Sequence, residues 1–260
     1  MNNETGASAV VDDRTTVICI GVLAASLAAI VHEAIGHGLG CVAVGGHVTL
    51  LTSIWFRCRG ATSVTDAGGP IASLVVGVAA LLFVRKMALH PVARFYLLVF
   101  GALSLFWFAA QLIEHPIADR DDWAFIAHRM GWPEIWRPIM AAIGITAYVA
   151  TTRWIAAILR GDAPSQNAIR VAYGSAVCSA VIAGMMWQPM PIRSAIEAFL
   201  TLGIAPLGLL VANQLVTRSP QNAQLITRSW LWIAVSAGIF CAFLLEQAPG
   251  LGSLARIGLR

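Results

Sequence analysis

Seven stretches of about twenty mainly apolar residues constrain this chain more than anything else in it, because a hydrocarbon core about 30 Å thick takes about 20 residues of helix to cross. They lie at roughly 16–45, 68–88, 92–115, 138–159, 168–188, 194–216 and 228–246. In lipid a spanning backbone must satisfy its own hydrogen bonds, and a helix does so within one segment. The expectation is an all-α polytopic membrane bundle of six to seven transmembrane helices, with a short β-prone segment after the first. Composition agrees: 58% of the 260 residues are hydrophobic, mean hydropathy is +0.75 and only 12% are charged. Soluble domains carry about 25% charged residues, so a water-soluble monomer is excluded. The 17 Lys and Arg against 13 Asp and Glu give +4, but the cations are scattered in ones and twos. No nucleic-acid groove can be assembled from them, and the expected surroundings are the lipid bilayer.

The first 15 residues form a polar tail without the basic n-region of a signal peptide, so the first apolar run is expected to stay in the mature chain as a multi-pass membrane anchor. Assigning Lys and Arg to alternate connections gives near-equal totals on the two sides, so simple counting sets no orientation. Two connections are longer and more polar than the rest, 46–67 and 116–137. From 138 onward almost no ionisable residue falls inside a span, which reads as scaffold or substrate access. Trp187, Trp230 and Trp232 fall near span ends, where an aromatic belt belongs. Cys19, Cys41, Cys58, Cys178 and Cys241 are odd in number and widely spaced, and read as small buried thiols rather than a disulfide framework.

Well inside the first run stand His32, Glu33 and His37. A carboxylate at mid-helix costs about 2.5–3.5 kcal/mol even on a lenient insertion scale, so such groups face a cavity and have partners. A His-Glu pair followed by a second His is the pattern of zinc hydrolases, in which two imidazoles hold Zn²⁺ and the Glu serves as base. The usual spacing is HExxH. His32 and His37 are five apart, which on an ideal α-helix points them roughly 140° away from each other. A π-bulge would bring them together, and Gly36 and Gly38 make such a distortion cheap. Two pairings need no bulge, Glu33 with His37 and His37 with Cys41, each at i, i+4. A metal-free polar cluster between helices is the further alternative.

The acidic connection follows the third run. Pro116 removes a backbone donor and is expected to end that helix near His115, freeing Asp119, Asp121 and Asp122 to fold back toward a metal. Asp122, followed by Trp123, is chosen as the third ligand. Asp121, Asp119, Glu114 and His115 remain competitors.

With these residues in view, the chain resembles the site-2 protease family of intramembrane zinc metallopeptidases over about residues 16–125. Three features carry the likeness: His32-Glu33-x-x-x-His37 with its Gly-rich continuation and the β-prone Val48–Ile54; Ala67-Gly68-Gly69-Pro70-Ile71-Ala72-Ser73, similar to a Gly-Pro-x-x-Asn element; and the acidic motif after the third run. Ser73 stands where that family has Asn. The longer zinc spacing is similar to HExxGH of the dipeptidyl peptidase III family, which is soluble.

The resemblance implies a Zn²⁺ site of His32, His37 and Asp122, with Glu33 as catalytic base and proton shuttle. It implies hydrolysis of a peptide bond in or near a transmembrane segment of a membrane protein substrate. Ser73 and Gly69 are then expected to help position an unwound substrate strand laid along the edge of Val48–Ile54. Residues 126–260 add transmembrane helices, and the location is an integral membrane one, the cell membrane in a prokaryote. The alternative is a non-enzymatic membrane protein, either a metal or proton transporter or an inactive protease-like scaffold.

Overall fold

The computed structural model describes residues 12–161, 164–216 and 224–254; of the expected polar tail, residues 1–11 lie outside them. Among the described residues seven helices are long and apolar enough to cross a membrane: α1 (Arg14–Ala43), α2 (Ser63–Lys86), α3 (Pro91–Ala118), α5 (Trp136–Leu159), α6 (Gln166–Met185), α7 (Pro191–Gln214) and α8 (Trp230–Gln247). The eighth helix, α4 (Asp121–Met130), is short and sits in the second polar connection. The first polar connection folds into an antiparallel hairpin of β1 (His47–Leu51) and β2 (Phe56–Arg59). Among the described residues the bundle is all-α apart from this hairpin, as its hydropathy dictates.

Helix ends follow local chemistry. Asp13 Oδ1 accepts from Thr16 N at 2.9 Å to start α1, and Thr62 caps α2 in a box with Thr65. Pro91 opens α3, where its missing N–H costs nothing. Pro116 does not end that helix: α3 continues to Ala118 and stops at Asp119, which takes a left-handed φ of 51°. A proline removes one hydrogen bond from a helix, and near a C-terminus little helix is left to break.

α3 is the centre of the bundle, packed between α2, α5 and α1, with Phe95, Val99, Leu103 and Phe106 buried along it. α1 also meets α6, and each brings buried alanines to the core, Ala25, Ala28 and Ala29 from one and Ala172, Ala176 and Ala180 from the other. Lipid tails are as apolar as leucine, so helices in a membrane associate by close packing of small residues more than by escape from water. The crossing of α1 on α2 is also tight. A Cβ on Gly36 would lie 2.6 Å from both Gly68 O and Gly69 Cα, so backbone meets backbone there.

The hairpin is anchored by the second half of the chain. Leu51 and Leu251 exchange backbone hydrogen bonds of 2.9 and 2.8 Å, and Leu254 N donates to Thr49 O. Trp55 Nε1 donates to Ser194 Oγ at 2.9 Å, and Gln247 Nε2 to Thr52 O. The edge of β1 expected to receive a substrate strand is thus already occupied by residues 251–254. Among the described residues the open edge belongs to β2. Trp187 differs from expectation too: it is fully buried beside Leu50 and Trp55, where it pins the hairpin to the bundle, whereas Trp230 is exposed as a belt residue should be.

Candidate metal centre

Between Ile30 and His37, α1 departs from α-helical geometry and runs as a π-helix. Its signature is the backbone bond from Gly38 N–H to Glu33 O, five residues back. This wider turn puts residues five apart on one face, and the Nε2 atoms of His32 and His37 come to 3.2 Å. Gly38 keeps ordinary right-handed angles (φ −62°, ψ −50°), so its freedom is not used for the bulge. Gly36 serves the crossing with α2 instead. Gly69 lies on the other side of that crossing, and a Cβ there would collide with the Nε2 atoms of both imidazoles.

Asp122 supplies the third group. Its approach depends on a chain reversal after α3, where Asp119 and Asp121 both have positive φ, 51° and 71°. Aspartate tolerates this left-handed region better than most residues, and the reversal turns Asp122, at the start of α4, back onto the imidazoles. Its Oδ2 lies 3.6 Å from His32 Nε2 and its Oδ1 lies 3.4 Å from His37 Nε2. Tetrahedral ligands about 2.0–2.1 Å from Zn²⁺ stand about 3.3 Å from one another. The imidazole nitrogens, 3.2 Å apart, stand at about that spacing; the two Asp122 oxygens approach different imidazoles, and one ligand atom from each of the three residues lies within 4.8 Å of the others. All three residues are buried, and together they can hold a metal ion.

The far nitrogens are fixed as well. His37 Nδ1 donates to Thr65 O at 2.8 Å, which leaves the Nε2 lone pair of the neutral ring aimed at the centre. His32 Nδ1 lies 3.0 Å from Ser73 Oγ, and the His32 ring stacks on Trp107 with centroids 4.1 Å apart. Phe56 of β2 stacks on His37 at 5.4 Å. Two imidazole lone pairs 3.2 Å apart repel unless a proton or a cation lies between them, and the ionised carboxylate opposite favours the cation. Burial alone would raise the Asp122 carboxyl, but whenever the imidazoles hold a proton the charge of His37 and the hydrogen bonds from His32 and His37 keep it well below the usual carboxylate range. Asp121 goes the other way, raised by burial and by the neighbouring charge of Asp122.

Glu33 borders the same cavity, of about 570 Å³, and takes no part in the contacts that tie His32, His37 and Asp122 together. The cavity is walled by Trp55, Phe56 and Arg57 of the hairpin, by Gln111 and His115 of α3, and by Leu200, Thr201 and Ile204 of α7. The second half of the chain therefore forms part of the site's wall as well as its scaffold.

The expected residues thus divide. His32, His37 and Asp122 converge. The rival pairings do not form: Cys41 is bonded to Cys58 in a disulfide, against the expectation of free thiols, and Glu33 is not among the convergent ligand atoms. Asp119 is exposed and pairs with His128 and Arg137; Glu114 pairs with Arg120. His115 lines the cavity and accepts from Trp123 N through Nδ1. Ser73 is buried behind His32 and Gly69 lies under both rings, so they position the imidazoles rather than present a surface to a strand.

Gln111 is the residue that sequence reasoning missed. Its Nε2 donates to Asp122 Oδ2 at 3.0 Å and lies 3.4 Å from His32 Nε2, while its Oε1 is buried without a hydrogen-bond partner. One signal was present: Trp107, Gln111 and His115 follow at i, i+4 and i+8, a polar-aromatic stripe down one face of an apolar helix. No family model, curated protein or solved structure matches the chain, so the functional reading rests on this geometry.

Proposed function

We propose that the protein is a membrane-embedded zinc metallopeptidase that hydrolyses a peptide bond in or near a transmembrane segment of another membrane protein. The observation that supports this most is the buried triad of His32, His37 and Asp122, one ligand atom from each within 4.8 Å of the others, with Glu33 adjacent in sequence to one of them and facing the same cavity. Two imidazoles and one carboxylate leave a fourth position open, which is the pattern of catalytic rather than structural zinc. When bound, zinc would supply Lewis acidity, polarising a carbonyl and acidifying water.

The chain's own groups do the rest. Ser73 and Thr65 hold His32 and His37 in register, and the Thr65 carbonyl keeps His37 in the tautomer that offers Nε2. Gln111 donates to Asp122, which keeps that carboxylate turned inward. Glu33 takes a proton from water and returns it to the leaving amine. Phe56 and Arg57 line the cavity, and the edge of β2, unpaired among the described residues, is where an unwound substrate strand can add to the sheet. A helical substrate hides its carbonyls in hydrogen bonds, so unwinding must precede attack.

The test is Glu33→Gln in purified protein reconstituted with fluorescently tagged model transmembrane peptides. Metal content stays near one equivalent and cleavage falls by about 10²–10⁴-fold, the worth of a general base. Loss of metal would make Glu33 a ligand. Metal-dependent ion flux in liposomes, with no cleavage by either form, would replace the peptidase with a transporter.

A further inference from the structure

We propose that the mouth of the metal cavity faces the oxidising side of the membrane, with the N-terminal end of α1 on the reducing side. Coupled to the peptidase reading, the substrate segment is then reached from outside the reducing compartment. Seven spans fix which parts share a face. The hairpin, α4, the α6–α7 turn and Leu251 form one face, joined by the contacts Trp55–Ser194, Arg129–Asp66, Arg120–Glu197 and Leu51–Leu251. The start of α1, the α2–α3 turn and the ends of α5 and α7 form the other, where Asp13 N meets Ile226 O and Gln166 meets Asn213.

The Cys41–Cys58 disulfide distinguishes these faces: it ties the end of the metal-bearing helix to the strand that walls the cavity. Disulfides persist in oxidising compartments and are rare where thiol reductants are abundant. Lys and Arg are near-equal in number on the two sides, so charge sets no orientation and the disulfide carries the assignment.

The proposal is tested on the whole chain in bacterial cells by two measurements. Acid-quenched cells are alkylated with N-ethylmaleimide, then reduced and treated with a polyethylene-glycol maleimide. Two thiols are expected to shift in wild type and none in Cys41→Ser. Separately, alkaline phosphatase or a fluorescent protein is fused behind Arg260, nine residues past Leu251; the phosphatase, which folds only under oxidising conditions, is expected to be active and the fluorescent fusion dark. Thiols already free before reduction, or a bright fluorescent fusion with inactive phosphatase, would overturn it. Neither measurement reads metal or cleavage, so an orientation that holds with no zinc in the same preparation counts against the peptidase reading alone.

Discussion

The α1–α4 half and the α5–α8 half of this molecule treat buried polarity in opposite ways. In α1–α4, His32, Glu33, His37, Asp66, His115 and Asp122 are all buried, and their contacts run between elements far apart in sequence. Among the described residues of α5–α8 the buried polar side chains are neutral, such as Thr152, Ser179, Asn213 and Gln247. Several of these close short loops on their own helix, Thr152 Oγ1 to Tyr148 O and Ser179 Oγ to Ala176 O. A hydroxyl that satisfies itself locally can sit anywhere in an apolar helix. An ionisable group in lipid needs partners brought from elsewhere, so the first half must hold its helices at fixed separations and the second need only pack.

That contrast breaks most visibly if a ligand is removed. His32→Ala, His37→Ala and Asp122→Ala each reduce the metal content of purified protein to background, while Asp119→Ala leaves it unchanged; elemental analysis reads this directly. If Asp122→Ala kept its metal, the carboxylate would be an ion-pair partner of the imidazoles and nothing more. Next in size is Gly69→Ala, whose methyl drives into both rings. Overpacking of this kind costs about 1–3 kcal/mol, and metal should be lost with the stability, measured as a lowered midpoint of thermal unfolding in detergent.

A smaller effect sharpens the comparison within the site itself. Gln111→Ala leaves Asp122 and His32 in place but removes a hydrogen bond behind the carboxylate, so metal affinity falls by about 10–100-fold in a chelator competition. An unchanged affinity would reduce Gln111 to a space-filling residue. The smallest effect is expected in the other half: Thr152→Val removes a side-chain bond within its own helix, changes stability by under about 1 kcal/mol and leaves metal content untouched. A metal effect from that substitution would show the two halves to be coupled.

Much of the site was legible before any coordinates. His32 and His37 could not both serve one metal on a regular helix, so their spacing called for the π-helical turn that is found between Ile30 and His37. The glycines were assigned the wrong task, since Gly36 admits a neighbouring backbone rather than easing the bulge. The disulfide went unread because spacing along the chain says nothing of which cysteines end at the same height in a bundle, and Cys41 and Cys58 meet only because the hairpin folds back on α1.

What the sequence determined by itself is the seven-helix membrane architecture and the position of one charged turn within it. Hydropathy acts through local sums along about twenty residues, and the cost of a charge in lipid is paid wherever the charge is written. Which carboxylate completes the site was decided only by tertiary structure. Asp119, Asp121 and Asp122 are chemically alike, and two left-handed residues in the reversal after α3 turn one toward the imidazoles and leave Asp119 exposed to its arginine. Gln111 and the capping of β1 by Leu251 belong to the same class, being contacts between segments 79 and 200 residues apart that no local sum contains.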